Sequence, residues 1–164
     1  MAGGDPPLRR RAATTPARTS VTVARGKVRV PLALSRVRAL AEHVLRRERV
    51  AAAISIQFVT PRVIARLHQA QLGVRGPTDI VTLEHDREAP GAPRVGEIHI
   101  APAVAAGNAA RYGVTARDEV ARLVVHGVLH AIGWEHPEGE TRTSSAMWRR
   151  QETLLRQARH AGVI

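Results

Sequence analysis

The chain has 164 residues, no cysteine and only four aromatic side chains: Phe58, Tyr112, Trp134 and Trp148. Without cysteine it can form no disulfide, no iron–sulfur cluster and no thiolate zinc site, so histidine and carboxylate are the main candidate metal ligands. No apolar run approaches the ~18 residues that a membrane-spanning helix requires. These absences leave eight histidines as the residues whose role most needs an explanation.

Lysine is also scarce, since Lys27 is the single lysine among 25 basic residues, which face 14 acidic residues for a formal net charge of +11. The excess is uneven: residues 1–50 carry 12 basic and 3 acidic groups, whereas residues 51–164 carry 13 and 11. A basic surface attracts polyanions such as nucleic acid through steering and counterion release. An arginine-rich composition with a solvated tail would give the same totals, so charge by itself leaves both interpretations open.

The composition divides the chain into two parts. Residues 1–18 are rich in Gly, Pro, Arg and Thr without apolar periodicity, which predicts a basic, disordered tail. Residues 19–164 are predicted to form a single domain, because a chain of this length suits one hydrophobic core. The apolar stretch of a secretory signal is absent, and we expect a cytoplasmic protein.

Short strands and helices alternate along this domain. Apolar patterns predict strands at residues 50–58, 80–83 and 96–100, and a strand-turn-strand in which Val21, Val23, Val28 and Val30 flank Gly26. One helix is predicted to begin at Pro31, and a second to run from the N-cap Thr60 to about Leu72. Three more are predicted over residues 102–112, from the N-cap Thr115 to Ala131, and over about residues 142–160. The predicted fold class is α+β, a small mixed β-sheet packed by helices.

Residues 126–136 (HGVLHAIGWEH) combine three histidines with a glycine. His126 and His130 are four residues apart, so on a helix their rings project from one face about one turn apart. His136 can join them if Gly133, which tolerates positive φ, ends the helix and turns the chain back. Three histidines with an open fourth position are typical of a catalytic zinc site, where a bound water is activated.

The spacing H-x-x-x-H-x-x-G-x-x-H is the ligand spacing of metzincin metalloproteases, so we expect a metzincin-like histidine helix and glycine turn. Those enzymes carry glutamate after the first histidine as the general base for peptide hydrolysis. Gly127 holds that position here, and Glu135 lies in the turn. The metal platform is therefore present without the protease base. Nickel and copper also accept three imidazoles, and zinc is preferred for a site of this type.

The same segment resembles the signature H-G-x-L-H-x-x-G-[YW]-[DE]-H of the YbeY family of endoribonucleases and ribosomal RNA maturation factors. Residues 75–81 (RGPTDIV) are similar to that family's R-x-x-T-[DN]-V-L-S-F segment, and residues 96–100 (GEIHI) to its G-D-I-x-I strand. These blocks occur in family order, and the resemblance extends over about residues 20–160. Trp134 and Glu135 stand where Tyr and Asp are usual in the family, Glu97 replaces Asp, and residues 81–84 replace most of the L-S-F-P run.

The resemblance implies one zinc ion per chain bound by His126, His130 and His136, with Arg75 as the catalytic arginine of the same site. A guanidinium suits this role because its permanent charge can clamp two phosphate oxygens. Residues 19–164 would then form a zinc-dependent endoribonuclease domain that prefers single strands. The resemblance further implies 16S ribosomal RNA 3′-end maturation, ribosome quality control, and contacts with the ribosomal subunit, ribosomal proteins or GTPase assembly factors.

Two alternatives stay open at this point. The first is a non-catalytic ribosome-assembly factor in which zinc mainly stabilises the fold. The second is a metallohydrolase that acts on a substrate other than RNA, which the missing base at Gly127 and the basic N-terminal half disfavour.

The other five histidines have no partners at ligand spacing. His99 could approach the three-histidine cluster but is expected to be a hydrogen-bonded residue of its strand. The remaining four are expected at the surface: His43, His68, His85 and His160. Trp134 is expected to pack against the turn that leads to His136.

Overall fold

The computed structural model describes residues 19–137 and 139–164, apart from residues 86 and 88, so the predicted tail lies outside the described residues. Its strands are β1 (Ser20–Arg25), β2 (Ala52–Phe58), β3 (Ile80–His85) and β4 (Arg94–Ile100). Its helices are α1 (Leu34–Glu48), α2 (Pro61–Leu72), α3 (Pro102–Tyr112), α4 (Ala116–Ala131) and α5 (Ala146–His160), with a 3₁₀ segment at Gly139–Ser144 before α5. None of these helices has the length and apolar composition needed to cross a membrane.

The four strands form one mixed sheet in the order β1-β2-β4-β3. The strands β1 and β4 run parallel to β2, and β3 runs antiparallel to β4. Ile98 at the centre of β4 lies opposite Ile56 on one side and Thr82 on the other. The mixed sheet packed by helices confirms the predicted α+β class.

Helix α4 packs directly on β4, and two glycines permit the close approach. A Cβ atom added to Gly96 would lie 2.5 Å from the Cβ of Ala131, and one added to Gly127 would lie 2.7 Å from Cγ2 of Ile98. The side chains of α4 around these positions are largely buried, including Val124, Val128 and Leu129. This central helix therefore has a fixed depth and orientation against the sheet, and it carries two of the three clustered histidines.

The predicted helix starts at threonine are confirmed. Thr60 Oγ1 accepts a hydrogen bond from the backbone N–H of Val63, and Thr115 Oγ1 accepts one from that of Asp118. Each bond satisfies a backbone donor that the first turn of a helix leaves without a partner. Pro61 stands at the first helical position, where its missing N–H costs nothing.

Two predicted elements near the ends of the domain differ from the structure. Residues 26–33 form neither strand nor helix, and α1 begins at Leu34 rather than at Pro31. The N–H of Gly26 still bonds to the carbonyl of Phe58, but the N–H of Val28 turns back to the carbonyl of Gly26, so the chain leaves the sheet there. At the other end, α5 begins at Ala146 because Ser145 caps it, and the residues before it adopt the 3₁₀ conformation.

Candidate metal centre

The end of α4 brings the three histidines together. His126 and His130 lie in its last two turns, and Gly133 follows with a φ of +92°. The N–H of Gly133 bonds to the carbonyl of His130 at 2.8 Å, and that of Trp134 bonds to Leu129 at 3.0 Å, which closes the helix end. Since residues other than glycine rarely adopt this φ, Gly133 allows the chain to reverse and return His136 to the helix.

The three imidazoles point their Nε2 atoms at one another. Nε2 of His136 lies 3.2 Å from Nε2 of His130 and 3.4 Å from Nε2 of His126. In a tetrahedral zinc site with Zn–N bonds of about 2.0–2.1 Å, two ligand nitrogens are about 3.3–3.4 Å apart. The candidate ligand atoms all lie within 4.8 Å of one another, so this triad could hold a metal ion.

Hydrogen bonds to the outer ring nitrogens set the tautomers of two of these histidines. Nδ1 of His136 lies 3.0 Å from the carbonyl oxygen of Pro137, which can only accept, so this Nδ1 carries the proton. Nδ1 of His126 lies 2.9 Å from Oε1 of Gln151, whose amide nitrogen donates to the Glu152 carboxylate at 3.1 Å. Both Nε2 atoms are therefore unprotonated lone-pair donors facing each other, an arrangement that a shared cation stabilises.

Burial favours the neutral forms of His126 and His130. Burial, followed by the nearby charge of His130, lowers the pKa of His126 to about 3, against the opposing effect of the hydrogen bond that His126 donates to Gln151. Burial and then the charge of His136 lower the pKa of His130 as well. Proton competition for these ligand nitrogens is therefore weak at neutral pH, which favours metal binding.

The turn before His136 is anchored to two other helices. The indole N–H of Trp134 donates to Glu48 Oε2 at 3.1 Å, and the other carboxylate oxygen of Glu48 accepts from Arg150 Nε at 2.6 Å. Trp134 also packs against the main hydrophobic core. We expected Trp134 to pack against the turn, and these contacts show that it also ties the turn to α1 and α5.

A polar cleft of about 140 Å³ opens beside His126. Arg122 and Arg142 line it, and their guanidinium carbons lie 5.4 Å and 5.6 Å from the centre of the Trp148 ring. The positive charge of Arg142 is the last of the causes that lower the pKa values of His126 and His130, so this guanidinium lies near enough to affect both rings.

Sequence reasoning missed Gln151 and Arg142. A polar residue within the buried stripe of α5, between Met147 and Leu154, is the pattern that could have revealed Gln151, which is 1% exposed. No local pattern marks Arg142, because its relation to His126 depends on where the tertiary structure places the 3₁₀ segment before α5.

Arg75 lies in the loop between α2 and β3 and is exposed. Among the described residues it forms no hydrogen bond or ion pair, and it does not line the cleft beside His126. Asp79 and Ile80 of the same sequence block do line that cleft. The catalytic role of Arg75 stays a prediction.

The remaining histidines lie away from the triad. His99 is on the face of β4 opposite α4, because Gly96 and Ile98 face the helix and side chains alternate along a strand. It is buried in β4 as expected, but its Nδ1 has no hydrogen-bond partner among the described residues, so the expected side-chain hydrogen bond is not found there. His43 is buried on the inner side of α1, which corrects its predicted surface position. His85 and His160 are exposed as expected, and His68 is half-buried.

Fold and site together define the class of protein: an α+β domain with three histidines, at the end of its central helix, that could hold a metal ion. The family model described as Endoribonuclease YbeY matches residues 23–159. This match covers more than half of the chain, and the chain belongs to the YbeY family.

Curated relatives with the description Endoribonuclease YbeY agree with this assignment. The chain is 36% identical over 118 residues to the protein of Thermobifida fusca (strain YX), which is 66% of this chain and 76% of that one. It is 35% identical over 115 residues to the protein of Bifidobacterium animalis subsp. lactis, at 66% and 64% coverage. This chain spans about half to two thirds of the length of the Bifidobacterium relatives that it matches.

A solved structure supports the fold alone. The solution structure of a protein from Thermotoga maritima superposes with a TM-score of 0.56 at 22% sequence identity, and the match covers 84% of this chain and 88% of that one.

Proposed function

We propose that this protein is a zinc-dependent endoribonuclease that acts on single-stranded regions of ribosomal RNA. The observation that carries the proposal is the convergence of three Nε2 atoms at the spacing of a zinc site, in a chain of the YbeY family. The proposal extends to 16S ribosomal RNA 3′-end maturation, ribosome quality control, a cytoplasmic location, and contacts with ribosomal proteins or GTPase assembly factors.

The chain's own residues have three tasks in this reaction. His126, His130 and His136 would hold the metal, with Gln151 and the Pro137 carbonyl orienting two of the rings. Zinc bound by these residues would supply the Lewis-acid chemistry for hydrolysis of a phosphodiester. Arg75 is proposed to clamp the phosphate oxygens, since a guanidinium keeps its charge at every physiological pH.

Exposed arginines of the N-terminal half are proposed to hold the RNA strand. Four of them extend from α1 or its C-terminal end without a described side-chain hydrogen bond: Arg38, Arg46, Arg47 and Arg49. Each phosphate contact made by such a side chain adds affinity that decreases as the salt concentration increases.

The position of Gly127 disfavours a protease. An added Cβ there would lie 2.7 Å from Cγ2 and 3.2 Å from Cδ1 of Ile98, and 3.0 Å from Cδ1 of Ile80. A glutamate, which metzincin proteases need at this place, would collide with the sheet. The packing of α4 therefore agrees with a substrate other than a peptide.

The test pairs metal analysis with RNA cleavage. Metal content and the cleavage rate of a ribosomal RNA fragment are measured for the wild type, His130→Ala and Arg75→Ala. We expect His130→Ala to lose both metal and activity. Arg75→Ala should keep the metal and lose about 10²–10³ in rate, the usual cost of removing a group that stabilises transition-state charge.

Arg156→Ala is the matched control, because Arg156 is an exposed arginine of α5 outside the cleft beside His126. Equal cleavage by metal-free wild type and by both variants would show that a contaminating nuclease cuts the RNA and would overturn the proposal. If instead the ligand variants unfold and Arg75→Ala remains fully functional in ribosome assembly, the non-catalytic assembly factor is the better interpretation.

A further inference from the structure

The cleft beside His126 has the composition of a nucleotide-binding site. Besides His126 its lining includes Asp79, Asn108, Tyr112, Arg122 and Arg142. It therefore combines cationic donors, an amide, and an aromatic ring next to the candidate metal centre. Nothing in the three-histidine chemistry uses these groups.

The charged side chains of the cleft differ in whether they have a hydrogen-bond or ion-pair partner. Arg122 forms a hydrogen-bonded ion pair with Glu119, whose side chain is 2% exposed. Asp79 accepts hydrogen bonds from Asn108 Nδ2 at 3.0 Å and from Thr78 Oγ1 at 3.3 Å. Arg142 forms no ion pair with any side chain that the structure describes. Among the described side chains it is therefore the cationic group of the cleft without a carboxylate partner.

Trp148 holds Arg142 in place without using its hydrogen bonds. The guanidinium carbon of Arg142 lies 5.6 Å from the indole centre, a cation–π distance. A guanidinium placed over a ring keeps its N–H groups directed outward, where they can donate to two oxygens of one phosphate.

Tyr112 provides an aromatic face at the same cleft. Tyr112 is 66% exposed at the C-terminal end of α3, so its ring is accessible to a ligand. Stacking on such rings is how proteins bind unpaired bases.

We propose that this cleft binds the nucleotide next to the scissile bond, with its phosphate on Arg142 and its base stacked on Tyr112. The inference rests on the proposed endoribonuclease function, because the triad must cut the neighbouring phosphodiester. It assigns to this chain a second phosphate-binding arginine in addition to Arg75.

The first experiment measures kcat/KM of the zinc-loaded protein on a short RNA whose cleavage position has been mapped. Arg142→Ala is expected to lower kcat/KM about tenfold to hundredfold, as the loss of a charge-assisted hydrogen-bonded contact does. Arg142→Lys should recover part of the activity, and Arg156→Ala should match the wild type. Zinc content and thermal stability are measured for each variant, so that misfolding is recognised.

The second experiment neutralises the phosphate instead of the arginine. A single methylphosphonate linkage is placed one nucleotide 5′ or 3′ of the cleaved bond. At one of these positions the wild type should lose activity about tenfold or more, whereas Arg142→Ala should lose little further, because the two changes remove the same contact. Tyr112→Ala should raise KM about tenfold, because the base loses its stacking partner, and Tyr112→Phe should retain the wild-type KM.

The outcomes separate this inference from the proposed function. If Arg142→Ala cuts RNA as fast as Arg156→Ala, or if the neutral linkage costs both proteins equally at both positions, the subsite is wrong and the endoribonuclease proposal stands. If the zinc-loaded wild type does not cut RNA, the proposed function fails and the subsite fails with it.

Discussion

Nδ1 of His126 on α4 lies 2.9 Å from Oε1 of Gln151 on α5, 25 residues later in the chain. The glutamine is 1% exposed, and its amide nitrogen is directed to Glu152, so its oxygen is the atom that faces the histidine. This bond selects the tautomer of His126 whose Nε2 is free to bind a metal. Gln151 is therefore a positioning residue for the metal centre.

Replacing Gln151 by methionine should weaken zinc binding about 10–100-fold, the usual effect of removing the hydrogen-bond partner of a metal-bound histidine. The affinity is measured by titration against a competing chelator. Gln157→Met is the matched control, since Gln157 lies on the same helix and forms no described hydrogen bond with a histidine. Equal zinc affinities for the two variants would contradict the positioning role.

Gly96→Ala should destabilise the domain by about 1–3 kcal/mol, because the new Cβ would lie 2.5 Å from the Cβ of Ala131 and would force α4 away from β4. Gly107→Ala in α3 has nothing within 4 Å of its added Cβ and should stabilise the protein by about 0.5–1 kcal/mol. Urea denaturation measures both. A neutral Gly96→Ala would show that the helix and the sheet are not in close contact.

Glu48→Ala should destabilise the turn before His136, because it removes the acceptor of both the Trp134 indole and the Arg150 guanidinium. The expected loss is about 1–3 kcal/mol, as for a hydrogen bond to a charged group in a partly buried site. Denaturation midpoints and zinc affinity are the measurements. Glu42→Ala on the same helix should be nearly neutral, since Glu42 makes none of the described hydrogen bonds; similar losses for the two variants would point to a general helix effect.

The metal-free protein should lose stability as the pH falls below about 6.5. The pKa of His126 is lowered from 6.5 to about 3 in the folded chain, so between these values the unfolded chain binds the proton more strongly. The stabilisation is complete above pH 6.5 and is lost through this window, at up to about 1.4 kcal/mol per pH unit from this histidine. Urea denaturation of chelator-treated protein at pH 7, 6 and 5 checks the slope. His126→Gln should flatten it, and an unchanged slope would contradict the assignment.

Much of the fold was predictable because its causes are local. Thr60 and Thr115 cap helices through bonds to residues three positions later, and Gly73 and Gly113 end helices in the left-handed conformation. A mostly apolar run located β2, and apolar alternation located β4. The strand predicted at Val28–Val30 did not form, because a residue pattern does not show whether a neighbouring strand edge is available to pair with it.

The sequence by itself determined that the three histidines come together. Helix periodicity places His126 and His130 on one face, and Gly133 returns His136 to them, so each relation spans at most ten residues. Only the tertiary structure decided what surrounds them: Gln151 behind His126, Glu48 holding the turn from 86 residues away, and Arg142 in the adjacent cleft. The reason is physical, since backbone geometry sets contacts within one or two helical turns. Contacts between distant segments depend on how closely α4, α5 and the sheet can pack.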